Sequence, residues 1–192
     1  MRYRVTIAPT TEWTTTADAK AWLNYDLSDQ DDLVDDIITG VRRYVEDLLG
    51  RSLMNQTVTL WLDADEIADR MLLPLPPFSS TGAITSVTTF DESNVSTTVS
   101  SGNYNVPDTE PAVVLEVGSG IETSRTYDAV RIVYSAGYGT STADLPAGIR
   151  LFMKRELMAQ FYERGAPQVG TTIARQNSEY LISDYRYADL GN

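Results

Sequence analysis

The chain has 192 residues, 42% of them hydrophobic, a length that suits one domain carrying an insertion and a sizeable core. Its 27 acidic and 15 basic side chains give a net charge of -12. That balance excludes nucleic-acid binding by broad phosphate neutralisation and suits a surface that DNA slides past without adhering. Cysteine and histidine are both absent, which removes disulfides, thiolate chemistry, and the commonest general base and metal ligand.

Residues 1–14 read as an extended arm, because Pro9 and the run of threonines oppose a helix, and an ordered arm needs something to lie on. Thr15-Thr16-Ala17-Asp18 is a capping-box pattern opening a short helix to about Leu23, with Ala19, Trp22 and Leu23 as its apolar side. The strongest helical signal follows, from Ser28 to Gly50. Leu33, Ile37, Val41, Tyr44 and Leu48 recur at steps of three and four, and Val34, Ile38, Val45 and Leu49 widen the stripe. Ser28 with Asp31 is expected to cap this helix, and Asp29, Asp31 and Asp32 complement its dipole. Arg42 and Arg43 are placed to pair with Glu46 and Asp47, and Gly50 is the expected left-handed stop. So short a connection between two helices predicts that they pack together.

After Gly50 the period changes to two. Val58, Leu60 and Leu62 alternate with Thr57, Thr59 and Trp61. Leu72, Leu73 and Leu75 precede Pro76-Pro77, which confine that stretch to an edge or bulge. Ile84 to Phe90 reads as a strand that turns through Asp91-Glu92-Ser93-Asn94 into Val95 to Val99. Short strands follow at Tyr104 to Val106, Val113 to Val117 and Val130 to Tyr134. Several short strands with regular turns predict a small antiparallel sandwich or barrel. Pro146 then stands near the start of a long helix to about Glu163, with Ile149, Phe152, Met153, Leu157 and Phe161 as its apolar face and Gly165 as its stop. The predicted fold class is α+β: a helical core at about 15–50 and 146–164, an inserted β region at about 53–140, and a tail at about 166–192, all in one domain.

No catalytic constellation stands out. Asp29-x-Asp31-Asp32 fails as an EF-hand, because Leu33 and Val34 occupy the positions that need an oxygen ligand and a glycine. Gly118-x-Gly120 and Gly137-x-Gly139 are too short for a phosphate loop. Ser52, Ser79 and Ser80 have no histidine to activate them. A carboxylate pair of hydrolase type cannot be singled out among 27 acids. The expectation is therefore no enzyme, no cofactor and no metal. No apolar run reaches the ~18 residues a membrane span needs, and MRYRVTIAPTTEW lacks the apolar core of a signal peptide.

Two groups point to partners. Arg150 and Lys154 lie one turn apart on the last helix with Arg155 beside them. They form either a solvated face or a basic strip that meets an acidic neighbouring subunit. The tail ends in Tyr180-Leu181-Ile182-Ser183-Asp184-Tyr185-Arg186-Tyr187. Tyr180, Leu181, Tyr185, Arg186 and Tyr187 either pack on their own domain or dock on another chain.

Several stretches stand out by their order and spacing: Tyr3-Arg4-Val5, Asp18-Ala19-Lys20-Ala21-x-Leu23, Asp31-Asp32-Leu33-x-x-x-Ile37 and Val45-Glu46-x-x-x-Gly50-Arg51-Ser52-Leu53. They continue through the Leu-Pro-x-Pro-Pro stretch at 73–77, Ile84-x-Ser86-Val87, Val130-x-Ile132-x-Tyr134-x-Ala136-Gly137-Tyr138-Gly139 and Leu145-Pro146-x-x-Ile149, with Tyr185-Arg186 near the end. Together they resemble the head–tail connector (adaptor) proteins of tailed phages, which gene transfer agents also use. The resemblance implies a virion protein of the head–tail junction, assembled in the host cytoplasm. It implies a homo-oligomeric ring, usually of twelve copies, under the portal protein. Such a ring extends the DNA channel, which DNA crosses without specific binding, and offers a platform to the stopper or tail-completion protein. On that reading the helices form the ring seam and the tail folds onto the portal. The rival readings are a tail-completion or terminator ring and a β-domain glycan- or receptor-binding decoration protein. The latter expects exposed aromatics in the β loops, for which Phe78, Tyr104, Tyr127 and Tyr138 are available.

Overall fold

The computed structural model describes residues 1–78, 84–106, 113–117, 121, 123–162 and 179–186. Among the described residues, three α-helices and an antiparallel five-stranded sheet make the fold α+β, with every strand but the first lying between the second and third helices in the chain. The chain divides into two compact units, one of Met1–Thr10 with Asn55–Gly139, the other of Thr11–Met54 with Thr140–Asn192.

The first unit is built of strands. β1 (Arg2–Ile7), β2 (Gln56–Leu62), β4 (Ile84–Phe90), β5 (Ser96–Thr98) and β8 (Val130–Ala136) form one sheet in the order β1-β2-β8-β4-β5. β3 (Arg70–Leu73), β6 (Tyr104–Asn105) and β7 (Val113–Val117) form a second, in the order β3-β7-β6. The alternation seen in the sequence sets the inner face. Val58, Leu60 and Leu62 are buried, as are Val130, Ile132, Tyr134 and Ala136 on the neighbouring strand. They share one core with Met71, Leu73 and Leu115 of the second sheet, so two sheets close over a common apolar filling. The N-terminal arm is ordered because it has a partner: Tyr3 lies opposite Leu60 and Val5 opposite Val58, making β1 an edge strand.

The second unit is helical. α1 (Thr16–Leu23) starts at the expected cap: the Thr15 hydroxyl accepts from the Asp18 amide at 3.1 Å, and the Asp18 carboxylate accepts from that hydroxyl at 2.9 Å instead of from the cap amide of a full capping box. α2 (Asp31–Leu49) ends at Gly50 in the left-handed region, φ 64. Its start departs from the sequence expectation. The cap position is Gln30, with no side-chain cap bond, because a turn closed by the Asp31 amide on the Ser28 carbonyl comes first. The buried line also runs differently. It follows Val34, Ile37, Ile38, Val41, Val45 and Leu49, leaving Tyr44 45% exposed. Lys20 bonds Asp31 at 2.6 Å, tying α1 to the start of α2. α3 (Ala147–Tyr162) buries Ile149, Phe152, Met153, Leu157 and Phe161, the face predicted for it. Trp13 is fully buried, and its indole N–H donates to the Ile38 carbonyl at 3.0 Å.

A buried ion network holds the helical unit. Arg42 donates to Glu12 at 2.8 and 3.1 Å and to Glu46 at 2.8 Å. Glu46 also accepts from the Leu53 amide at 2.9 Å, which closes the turn after Gly50. Desolvation works against the Arg42 cation, but the hydrogen bonds and charges of Glu12 and Glu46 outweigh it and hold the guanidinium above its ordinary value. Burial is the largest influence on the Glu46 carboxyl and pushes it up, against the lowering from the Leu53 amide and Arg42. The companion pair expected at Arg43 and Asp47 is not formed among the described residues; both side chains are exposed.

Candidate functional site

The predicted basic strip lies on the solvent side of α3. Arg150, Lys154 and Arg155 are all half-buried. Lys154 is the best defined. Its carbonyl accepts from the Trp22 indole at 3.1 Å, and its ammonium sits 5.0 Å from the centre of that ring. Such a cation over an indole face adds about 0.5–1 kcal/mol at an exposed site. Arg155 is engaged within the chain, and the adjacent Glu156 is buried. Arg150 and Lys154 therefore remain the part of the strip turned outward.

Residues four apart share a row on a helix, so the line through Arg150 and Lys154 continues to Met158 and Tyr162. Met158 is 43% exposed, Tyr162 61% and the adjoining Trp22 41%. The Tyr162 hydroxyl donates to the Leu23 carbonyl, and its ring meets Phe161 edge-on at 5.2 Å. The α1–α3 surface thus combines two cations with three large, exposed apolar side chains, of which Trp22 and Tyr162 are held by hydrogen bonds. Helical spacing alone places Trp22 on a buried face and does not single out Met158 and Tyr162; the four-residue row is the signal that finds them.

The tail residues fall in two groups. Tyr187 lies outside the described residues, as do 163–178. Residues 179–186 form two 3-10 turns, Glu179–Leu181 and Ser183–Tyr185. Ile182 between them is fully buried and Leu181 half-buried. The segment lies against the first turn of α3, where a Cβ on Gly148 would come 2.5 Å from the Leu181 carbonyl oxygen and 3.5 Å from the Tyr185 ring. Only glycine permits that approach. Tyr180 is 68% exposed, and Arg186 reaches back to Glu179 at 2.8 Å. One turn thus anchors the segment through Ile182 while Tyr180 and Arg186 face solvent.

The β unit offers less. Of its four loop aromatics, Phe78 stacks on buried Tyr134 and Tyr104 packs against the core, Tyr138 is half-buried, and Tyr127 alone of the four is freely exposed, at 73%. They make no aromatic platform. A shallow cleft of ≈ 330 Å³ between the β4–β5 hairpin and Thr123–Ser124 is lined by threonines, Phe90, Val95 and Asp91. The Ser93 and Val95 amides both donate to Asp91 Oδ1, so the one carboxylate lining the cleft is tied into the β4–β5 turn. Among the described residues, no group of three His, Cys, Asp or Glu is placed to hold a metal ion, and no helix is long and apolar enough to cross a membrane.

No protein-family model matches the chain, and no curated protein matches it. Solved structures do. The chain superposes on a chain from the neck of an empty gene transfer agent particle, computed with C6 symmetry, with a TM-score of 0.82 and 18% identity, covering 100% of this chain and 98% of that one. A chain from the virion of a native gene transfer agent particle gives 0.77 at 20% identity, with the same coverage. Another, from the neck of the native particle computed with C12 symmetry, gives 0.72 at 20% identity, again with the same coverage. At these identities the likeness establishes a shared fold over the whole chain.

Proposed function

We propose that this chain is a structural component of the neck of a phage or phage-like particle: a head–tail connector that forms a ring below the portal, extends the DNA channel and carries the attachment site for the stopper or tail. The observation that carries this reading is the end-to-end likeness to a gene transfer agent neck chain, at a TM-score of 0.82 with nothing large left over on either side. The sequence resemblance to connector proteins supports it independently. The net charge of -12 suits a channel that DNA crosses without adhering. In this reading two different faces of each copy meet around a closed ring, the arrangement that generates rings when the rotation closes.

The tail belongs to the same proposal. Ile182 fixes residues 179–186 on α3, and Tyr180 and Arg186 are the groups offered to the portal. Locating the protein in purified particles by labelled electron microscopy tests the main reading; density at the neck is expected, and a particle whose neck lacks the protein overturns it. Tyr180→Ala with Arg186→Ala leaves the Ile182 anchor intact and should reduce capture by DNA-filled heads; undiminished capture overturns the tail role. A tail-completion ring would instead retain the tail tube and not the portal in a paired pull-down.

A further inference from the structure

We infer that the row Arg150, Lys154, Met158 and Tyr162 on α3, with Trp22 beside it, seats the outer row of α2 from a second copy of this chain. The inference rests on the ring reading and deepens it by naming the two faces that meet.

The complementary row is Asp32, Asp36, Gly40 and Tyr44. All four are exposed, and each is four residues from the next, so they form one line along α2. The acids of this helix divide by role. Asp31 is bonded to Lys20 and Asp35 to Thr16, so both are used inside the chain. Asp32 and Asp36, one residue on in each case, point away and have no ion pair among the described residues.

Read from their N-terminal ends, the two rows match position by position. Asp32 and Asp36 answer Arg150 and Lys154 in charge. Gly40 leaves a gap in its row, and its nearest neighbour at a Cβ position is the tip of Gln160, 4.0 Å away. That gap accepts the flexible, 43% exposed Met158. Tyr44, 45% exposed, then meets Tyr162, 61% exposed. Four-residue rows packing into one another make the commonest helix–helix contact in globular proteins. Lys154 is held in place by Trp22, so one of the two cations is positioned before contact.

The charges also choose between ways of pairing. Two copies meeting through the same face with these helices parallel would set Arg150 and Lys154 against their own images, or Asp32 and Asp36 against theirs, and like charges facing each other are costly; with the helices antiparallel, a same-face contact leaves the cations or the acids without an opposite charge. Different faces in contact remove that conflict, and such contacts propagate from copy to copy around a ring. Similar chains stand in particles computed with C6 and C12 symmetry, the setting such a contact serves.

The absence of cysteine makes the test clean, since every thiol is one that has been introduced. One variant carries Asp36→Cys and a second carries Lys154→Cys, distinguished by mass, and a third carries Thr97→Cys in the β unit as control. Single thiols exclude bridges within a chain. The full-length proteins are mixed at high concentration under mild oxidation, and disulfide-linked species are counted. The expected result is a mixed 36–154 dimer in about tenfold excess over either self-dimer and over mixtures with the control. Arg150→Glu added to the Lys154→Cys chain, or Asp32→Lys added to the Asp36→Cys chain, should abolish the excess alone, and the two together should restore it. No excess over the control, an excess of self-dimers, or failure of the charge exchange to restore the mixed dimer would overturn the inference. A protein located in the neck but showing background cross-linking would remove these faces and leave the neck reading standing; the mixed dimer from a protein absent from necks would do the reverse.

Discussion

Gly148→Ala separates the docked segment from the helix it lies on. Alanine in place of glycine ordinarily favours a helix, by at most about 1 kcal/mol. Here the new methyl would sit 2.5 Å from the Leu181 carbonyl oxygen, a backbone atom that cannot swing aside as a side-chain tip would. Residues 179–186 must then lift from α3, and the fully buried Ile182 loses its cover. Burying an isoleucine contributes about 1.5–3 kcal/mol, so release of the segment should become easier by about 2 kcal/mol, roughly a thirtyfold rise in its open population. Hydrogen exchange read by mass spectrometry over 179–186 measures that rise directly. Gly40→Ala supplies the contrast, because its methyl meets nothing closer than 4.0 Å and should stabilise dilute protein by about 1 kcal/mol, a Tm increase of roughly 2–4 °C. If Gly148→Ala raised Tm as Gly40→Ala does, with protection at 179–186 unchanged, the close approach of this segment to α3 would be wrong.

Other substitutions test the helical unit. Thr15→Ala removes the hydroxyl that accepts from the Asp18 amide and donates to its carboxylate, and should lower stability by about 1 kcal/mol in urea unfolding. Arg42→Met leaves Glu12 and Glu46 facing each other without their cation and should cost about 3–5 kcal/mol by the same measurement. Because burial raises the Glu46 carboxyl, the folded protein takes up this proton at higher pH than the unfolded chain does. Its contribution to stability is therefore fully present below the ordinary value of 4.5 and is lost as pH rises through the folded value. Stability curves of Glu46→Gln against pH should lack that component, and a curve that still follows wild type would refute the assignment.

What could be read in advance depended on whether a local signal existed. Alternation located β2, β4 and β8 because one face of each is buried, as Leu60 and Ile132 show. Gly50 and the Thr15–Asp18 pair announced helix ends through backbone requirements that act within four residues. The arm was legible as extended but not as a strand, since its partner lies far along the chain: Tyr3 pairs with Leu60. Ser28 and Asp31 mimic a capping box, but a turn intervenes and α2 starts after Gln30. Helical spacing assigns Tyr44 and Trp22 to buried faces, because aromatic residues in an apolar stripe read as core; both are exposed, since which part of a stripe is covered depends on how the helices pack, which no local pattern encodes. Of the tail, the anchoring role of Ile182 was hidden because it depends on a glycine more than thirty positions earlier.

The backbone passes between the two units three times, between Thr10 and Thr11, Met54 and Asn55, and Gly139 and Thr140. Each unit is therefore an interruption of the other, and neither can be excised as a continuous fragment. The sheet requires Arg2–Ile7 from before the helices, and the helical unit requires Ala147–Tyr162 from after the strands. A protease cut within α1, α2 or any strand from β2 to β8 breaks the covalent path of both units at once, so loss of one should be transmitted to the other instead of releasing a free-standing half.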